Sequence, residues 1–179
     1  MKYLLVLLVC FSVHAEQEFN ISYSHIDQDL EFANRIEFDM KAVSVSYSYF
    51  SDWGLGAEIV VSRSTETPNT IVLDTKYTNK INALWSASVV YKQKINDDHF
   101  VKYGAGITEY HSTWKVDGEE PSWSKGTDSH KPSYFVAYQY RMYENVFFET
   151  SYRFMYEKQK EDKGREITSA ANFGVTVLF

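Results

Sequence analysis

Between Val43 and Tyr49 the chain reads VSVSYSY. Val43, Val45, Tyr47 and Tyr49 share one parity, and Ser44, Ser46 and Ser48 share the other. A helix mixes two such classes around its surface, whereas a strand separates them onto two faces. The pattern recurs along the chain. It predicts strands over Phe19 to His25, Met40 to Tyr49, Leu55 to Arg63 and Lys80 to Lys92. It predicts four more over Phe100 to Tyr110, Ser133 to Arg141, Val146 to Tyr156 and Ile167 to Phe179. Eight is an even number, and each segment is about as long as a tilted strand needs to cross a bilayer.

The opening, MKYLLVLLVCFSVHA, supplies the export signal. Lys2, an apolar run from Tyr3 to Val13, and the small-residue end Val13-His14-Ala15 make a signal peptide over residues 1–15. The run is too short to span a bilayer as a helix. The barrel domain is then residues 16–179. Cys10 is the single cysteine and falls in the leader, so the exported chain folds without disulfides. A formal net charge of -6 with no basic block argues against nucleic acid. Aromatic residues make up 17% of the chain, yet mean hydropathy is -0.37 and no long apolar run follows the leader. That leaves a soluble exported β domain or an outer-membrane barrel.

Loop lengths favour the barrel. The connections FSDWG, QKINDD and MYEN are short. Those over Asp27 to Asp39, Ser64 to Asn79, His111 to Pro132 and Glu157 to Glu166 are longer and polar. Short turns at one end and long loops at the other are the habit of bacterial outer-membrane barrels. Tyr47, Tyr49, Phe50, Trp53, Tyr91, Tyr103, Tyr138, Tyr140, Tyr143 and Phe179 gather beside the short turns, as an interfacial girdle does. The expected fold is an all-β, eight-stranded antiparallel transmembrane barrel of up-and-down topology.

Parity then sorts the charges. Lys41, Arg63 and Glu109 share the apolar parity but lie at strand ends on the long-loop side. The mid-strand charges Glu58, Lys92, Lys102, Arg141, Glu149 and Arg153 all take the parity of the serines, which points into the barrel. Buried charges need partners. The expected arrangement is an interior ion-pair network of Glu58 and Glu149 with Lys102, Arg141 and Arg153.

Two stretches carry a family resemblance. The ending ANFGVTVLF, with Phe173, Val175, Val177 and a final Phe179, resembles the C-terminal signal by which outer-membrane barrels are recognised for insertion. The stretch YFSDWGLGAEIVV is similar to the second turn and strand of small OmpA-, OmpX- and Ail-like barrels. The resemblance implies a monomer in the outer membrane with both termini in the periplasm. Its implied partners are membrane lipid, lipopolysaccharide, the barrel-assembly machinery and, through the loops, an extracellular ligand or host surface. It does not fix a role, because the family includes adhesins and structural anchors.

The chemistry-bearing residues are few. Trp114 and Trp123, expected in the longest loop, are candidate contacts for a partner. Glu109, His111 and Ser112 lie where some outer-membrane enzymes modify lipid A. The pattern that resemblance would need is absent, so no catalytic residue is assigned. His25, His99 and His130 show no metal spacing, and no cofactor is implied. The expected function is non-enzymatic: a structural or adhesin-like outer-membrane barrel acting through its loops. The alternatives are a lipid A-modifying enzyme and a narrow, low-conductance pore.

Overall fold

The structure is a computed structural model that describes residues 15–31, 35–65, 69–72, 75–117, 123–158 and 165–179. The expected leader, apart from Ala15, lies outside them. The strands are β1 (Glu16–Glu31), β2 (Arg35–Phe50), β3 (Leu55–Ser64), β4 (Asn69–Val72) and β5 (Thr75–Lys94). They continue with β6 (His99–Asp117), β7 (Trp123–Tyr143), β8 (Val146–Lys158) and β9 (Arg165–Leu178). β4 is a short strand that pairs with the outer part of β5. The other eight pair antiparallel with their chain neighbours. The ring closes where β1 meets β9, and β3 meets β5.

Burial follows the pleat strand by strand. On β2, residues 42, 44, 46 and 48 are buried while 43, 45 and 47 are exposed. The outward set is apolar: Ile21, Tyr23, Val43, Val45, Tyr47, Ile59, Val61, Val89, Ile107, Tyr134, Val136 and Phe173 are all large hydrophobics open on the outer face. From Tyr49 to Val43 this band runs about 20 Å at ~3.3 Å per residue, close to the ~25 Å apolar belt of outer-membrane barrels. It stops at one level. Val43 and Tyr23 give way to Lys41 and His25, Val61 to Arg63, Ile107 to Glu109, and Tyr134 to Pro132 and His130.

The strands are longer than the alternation predicts, and this corrects the long-loop expectation. β1 and β2 stay in register out to Glu31 opposite Arg35. β6 and β7 stay paired out to Val116 opposite Trp123. Much of the expected loop over His111 to Pro132 is therefore hairpin arm. Beyond the apolar band the outward face turns polar while the inward face keeps Ile26, Gln28, Phe38 and Met40 buried, so the outward-apolar alternation stops while the backbone ladder continues.

The short end is tight. Gly54 ends the β2–β3 turn at φ 79, a conformation open to glycine, and its carbonyl accepts from Lys92 N at 2.7 Å. A Cβ there would meet the Lys92 carbonyl oxygen at 2.2 Å. Gly54→Ala is expected to lower stability by about 1–2 kcal/mol, read as a lower urea midpoint in detergent micelles. In the β5–β6 turn, a hydrogen bond from Lys94 holds the Asp97 carboxyl below its ordinary range. Residues 16 and 179 lie at this same end: Glu16 faces Phe50, and Phe179 N donates to Gln17 O at 3.0 Å.

Candidate functional site

Side chains fill the barrel in layers. At the short-turn end Phe50, Phe100 and Phe147 point inward, with Phe100 and Phe147 edge to face at 5.6 Å. The Lys92 ammonium lies over all three rings. Phe50 shares the parity of Ser44, Ser46 and Ser48 and is 1% exposed. It belongs to the interior plug, which corrects its expected place in the girdle.

The ionic layer comes next. Lys102 is 0% exposed and stands among three carboxylates. Its Nζ is 2.7 Å from Glu149, 3.0 Å from Glu18 and 3.9 Å from Glu58. Arg153 donates to Glu58 Oε1 at 2.8 Å and stacks over the Phe135 ring at 4.5 Å. Gly104, across the ladder from Phe135, leaves the space that ring occupies; a Cβ there would lie 2.6 Å from it. Lys92 pairs with Glu18 and Glu16. Gln139 joins two acids, donating to Glu18 at 3.0 Å and Glu149 at 2.7 Å. Thr176 donates to Glu149 and accepts from Asn20, each at 2.9 Å. Each carboxylate in this layer thus has a charged partner, which burial demands.

Of the residues expected to form the network, the structure brings together Glu58, Lys102, Glu149 and Arg153. Arg141 stands apart, and this corrects its assignment. Its guanidinium stacks against Phe100 and Phe147 at 5.6 and 5.4 Å, and its Nε has no hydrogen-bond partner among the described residues. Parity gives the face but not the height. β7 has a register shift between Arg141 and Tyr143, beside the turn. Glu18, Lys92 and Gln139 are the members the network expectation omits. Glu18 was legible: it shares parity with Asn20, Ser22 and Ser24 on a strand that starts at Glu16, not Phe19.

Above the ions lies a cavity of about 40 Å³ walled by Ser22, Ser24, Ser44, Ser46, Ser62 and Asn172. Ser24, Ser44 and Ser62 link Oγ to Oγ at 2.6 Å each. At ~10–15 Å³ per water the space suits a few buried waters. An apolar cluster of Ile26, Phe38, Met40, Ala42, Leu84, Met155 and Ala170 packs over it on the long-hairpin side. The polar middle therefore lies between aromatic rings at one end and a mixed apolar cluster at the other.

On the outer wall, Glu109 Oε2 lies 3.0 Å from His130 Nε2, and Oε1 lies 3.6 Å from His111 Nε2. Glu109 and His130 are direct cross-strand partners. The Ser112 side chain is outside the described residues. Trp114 and Trp123 lie on β6 and β7, opposite Lys125 and Val116, and their side chains are likewise outside the described residues. Phe173, Val175 and Phe179 are exposed on the outward face of the β9 end, and Val177 is half-buried there.

No protein-family model matches the chain, and no curated protein matches it. Solved structures do. Neisserial surface protein A is 15% identical with a TM-score of 0.66, covering 93% of this chain and 100% of that one. Ail, the attachment invasion locus protein of Yersinia pestis, is 13% identical with a TM-score of 0.61, again over 93% and 100%. The outer membrane protein OprG of Pseudomonas aeruginosa is 10% identical with a TM-score of 0.63, over 92% and 96%. At such identities the likeness is one of fold, and that fold is the closed eight-stranded barrel of small outer-membrane proteins.

Proposed function

We propose that this chain is a non-enzymatic outer-membrane anchor with a sealed interior, which presents strand-built hairpin arms at the cell surface. One observation carries the reading most directly: a continuous apolar outer band surrounds an interior stopped at both ends by apolar side chains. The band suits lipid, and the stopped interior argues against a pore. Ending the band at Lys41, His25, Arg63 and Glu109 puts charge at headgroup height, where it costs little. The short turns and both chain ends then face the periplasm, and the arms reach beyond the outer leaflet.

The arms are the surface for contact with lipopolysaccharide or another cell. Ail has been solved with a heparin analogue, sucrose octasulfate. Here the net charge of -6 and the exposed Asp27 and Asp39 of the β1–β2 arm argue against a sulfated polyanion on that arm. A cationic or uncharged partner fits it better.

Fractionation tests the placement: the protein is expected in outer membranes, with a gel band that moves on boiling. A soluble periplasmic protein would end the reading. In planar bilayers the pure protein is expected to show no unitary current steps, and steady steps would restore the pore. Lipid A mass spectra are expected to be the same with and without the gene. A changed acyl pattern would restore the enzyme and direct attention to Glu109, His111 and His130.

A further inference from the structure

One outward cluster is not accounted for by lipid contact or by the ionic layer. Asp27 on β1 and Asp39 on β2 are direct cross-strand partners just beyond the apolar band. Both are exposed, at 63% and 67%. Like charges directly opposite each other weaken an antiparallel pair. His25 shares their face and stands against both. Its Nε2 is 3.4 Å from Asp27 Oδ1, and its Nδ1 is 3.3 Å from Asp39 Oδ1. One donor atom from each of the three residues lies within 4.8 Å of the other two.

We propose that His25, Asp27 and Asp39 form a three-ligand site for a divalent transition metal of the zinc type. The donor set selects the class. An imidazole nitrogen with two carboxylate oxygens suits zinc and its neighbours, whereas calcium and magnesium take oxygen throughout. The spacing is compatible. Ligands at ~2.1 Å from a tetrahedral metal stand about 3.4 Å apart. Asp27 meets Nε2 at 3.4 Å and Asp39 meets Nδ1 at 3.3 Å, so whichever nitrogen ligates has one carboxylate at that spacing and the other inside the 4.8 Å span of the three donors. One ring nitrogen ligates, and the other is left to hydrogen bond.

The scaffold holds the donors firmly. β1 and β2 keep register on both sides of the cluster, from Ser24 opposite Ala42 to Glu31 opposite Arg35. On the other flank β9 offers Ala171 beside His25 and Ser169 beside Asp27, small side chains that leave the outward side open. Lys41 faces His25 across β2 and is the nearest cation in register. A metal here cancels the repulsion between Asp27 and Asp39 and braces the base of the β1–β2 arm. It keeps a coordination position open to the outside. No sequence motif announces it, because Asp39 comes from a different strand than His25 and Asp27.

The test is calorimetric titration of the full chain, folded in detergent micelles, with zinc ion alone. One site per chain is expected. His25→Ala and Asp39→Asn are each expected to weaken it by at least about tenfold, while the boiling-dependent gel shift shows both variants folded. Calcium is expected to give no such site. Absence of zinc binding overturns the proposal. So does binding that survives either variant, which places the metal on another group such as His99, His111 or His130. Calcium binding as tight as zinc, unchanged in His25→Ala, also overturns it, because that is diffuse attraction to carboxylates.

Discussion

Replacing Lys102 with methionine is expected to destabilise the barrel by about 3–5 kcal/mol, the scale for removing one partner of a buried ionic cluster. Methionine has nearly the same length, so packing is kept and charge is the variable. In the native barrel the Lys102 ammonium is buried within 3.0 Å of both Glu18 and Glu149. Without it, Glu18 keeps Lys92 and Glu58 keeps Arg153. Glu149 keeps only the neutral donors Gln139 and Thr176. The uncompensated charge therefore falls mainly on Glu149. Adding Glu149→Gln removes that charge while leaving an oxygen to accept from Gln139 and Thr176. The double variant is expected to recover about 1 kcal/mol or more relative to the single one. Urea unfolding in detergent micelles, with the folded fraction read from gel mobility, measures both. A loss under about 1 kcal/mol for the single variant would mean that water screens the layer.

The sequence made the walls of this barrel legible, and less of what stands between them. Alternation has power only where the two faces differ. From Val43 to Tyr49 one face meets apolar surroundings and the other holds serines, so each residue is placed correctly. From Asp27 to Glu31 one parity is wholly acidic and the other reads Gln28 then Leu30, so the outward-apolar alternation that marks the wall is gone and the continuing strand goes unread. Parity also misses height. It sends Arg141 inward but cannot show that the side chain stops at Phe100 and Phe147, short of the acids. Nearness to a turn misleads for Phe50, whose own parity puts it inside. Contacts between distant strands are the least visible. Lys102 reaches Glu18 across 84 positions of sequence, and only ring closure brings β1 beside the acids and bases of β5 to β8.

Placing arginine at Val89 is expected to destabilise the protein in phospholipid vesicles by about 2–4 kcal/mol, the cost of that residue on the lipid face at the bilayer midplane. Val89 is 63% exposed, within the apolar band of β5 between Trp85 and Tyr91, with Ala57 and Ala105 across the ladder on either side. Nothing packs over it that arginine would displace. In a water-soluble barrel such a change stays within about 0.5 kcal/mol, and the added charge would if anything help solubility. The comparison that decides is Ala83→Arg on the same strand and the same outward face. Ala83 lies beyond Trp85 and opposite His111, at the rim where the native chain already carries Arg63 and Glu109. Its expected effect is about 0–1 kcal/mol, as for charges near the interface. Both variants add the same side chain to the same strand, so propensity and side-chain entropy largely cancel. What remains is depth in the bilayer. A large loss at Val89 with little at Ala83 assigns the apolar band to lipid. Equal small losses at both would return the chain to water and remove the outer-membrane placement with it.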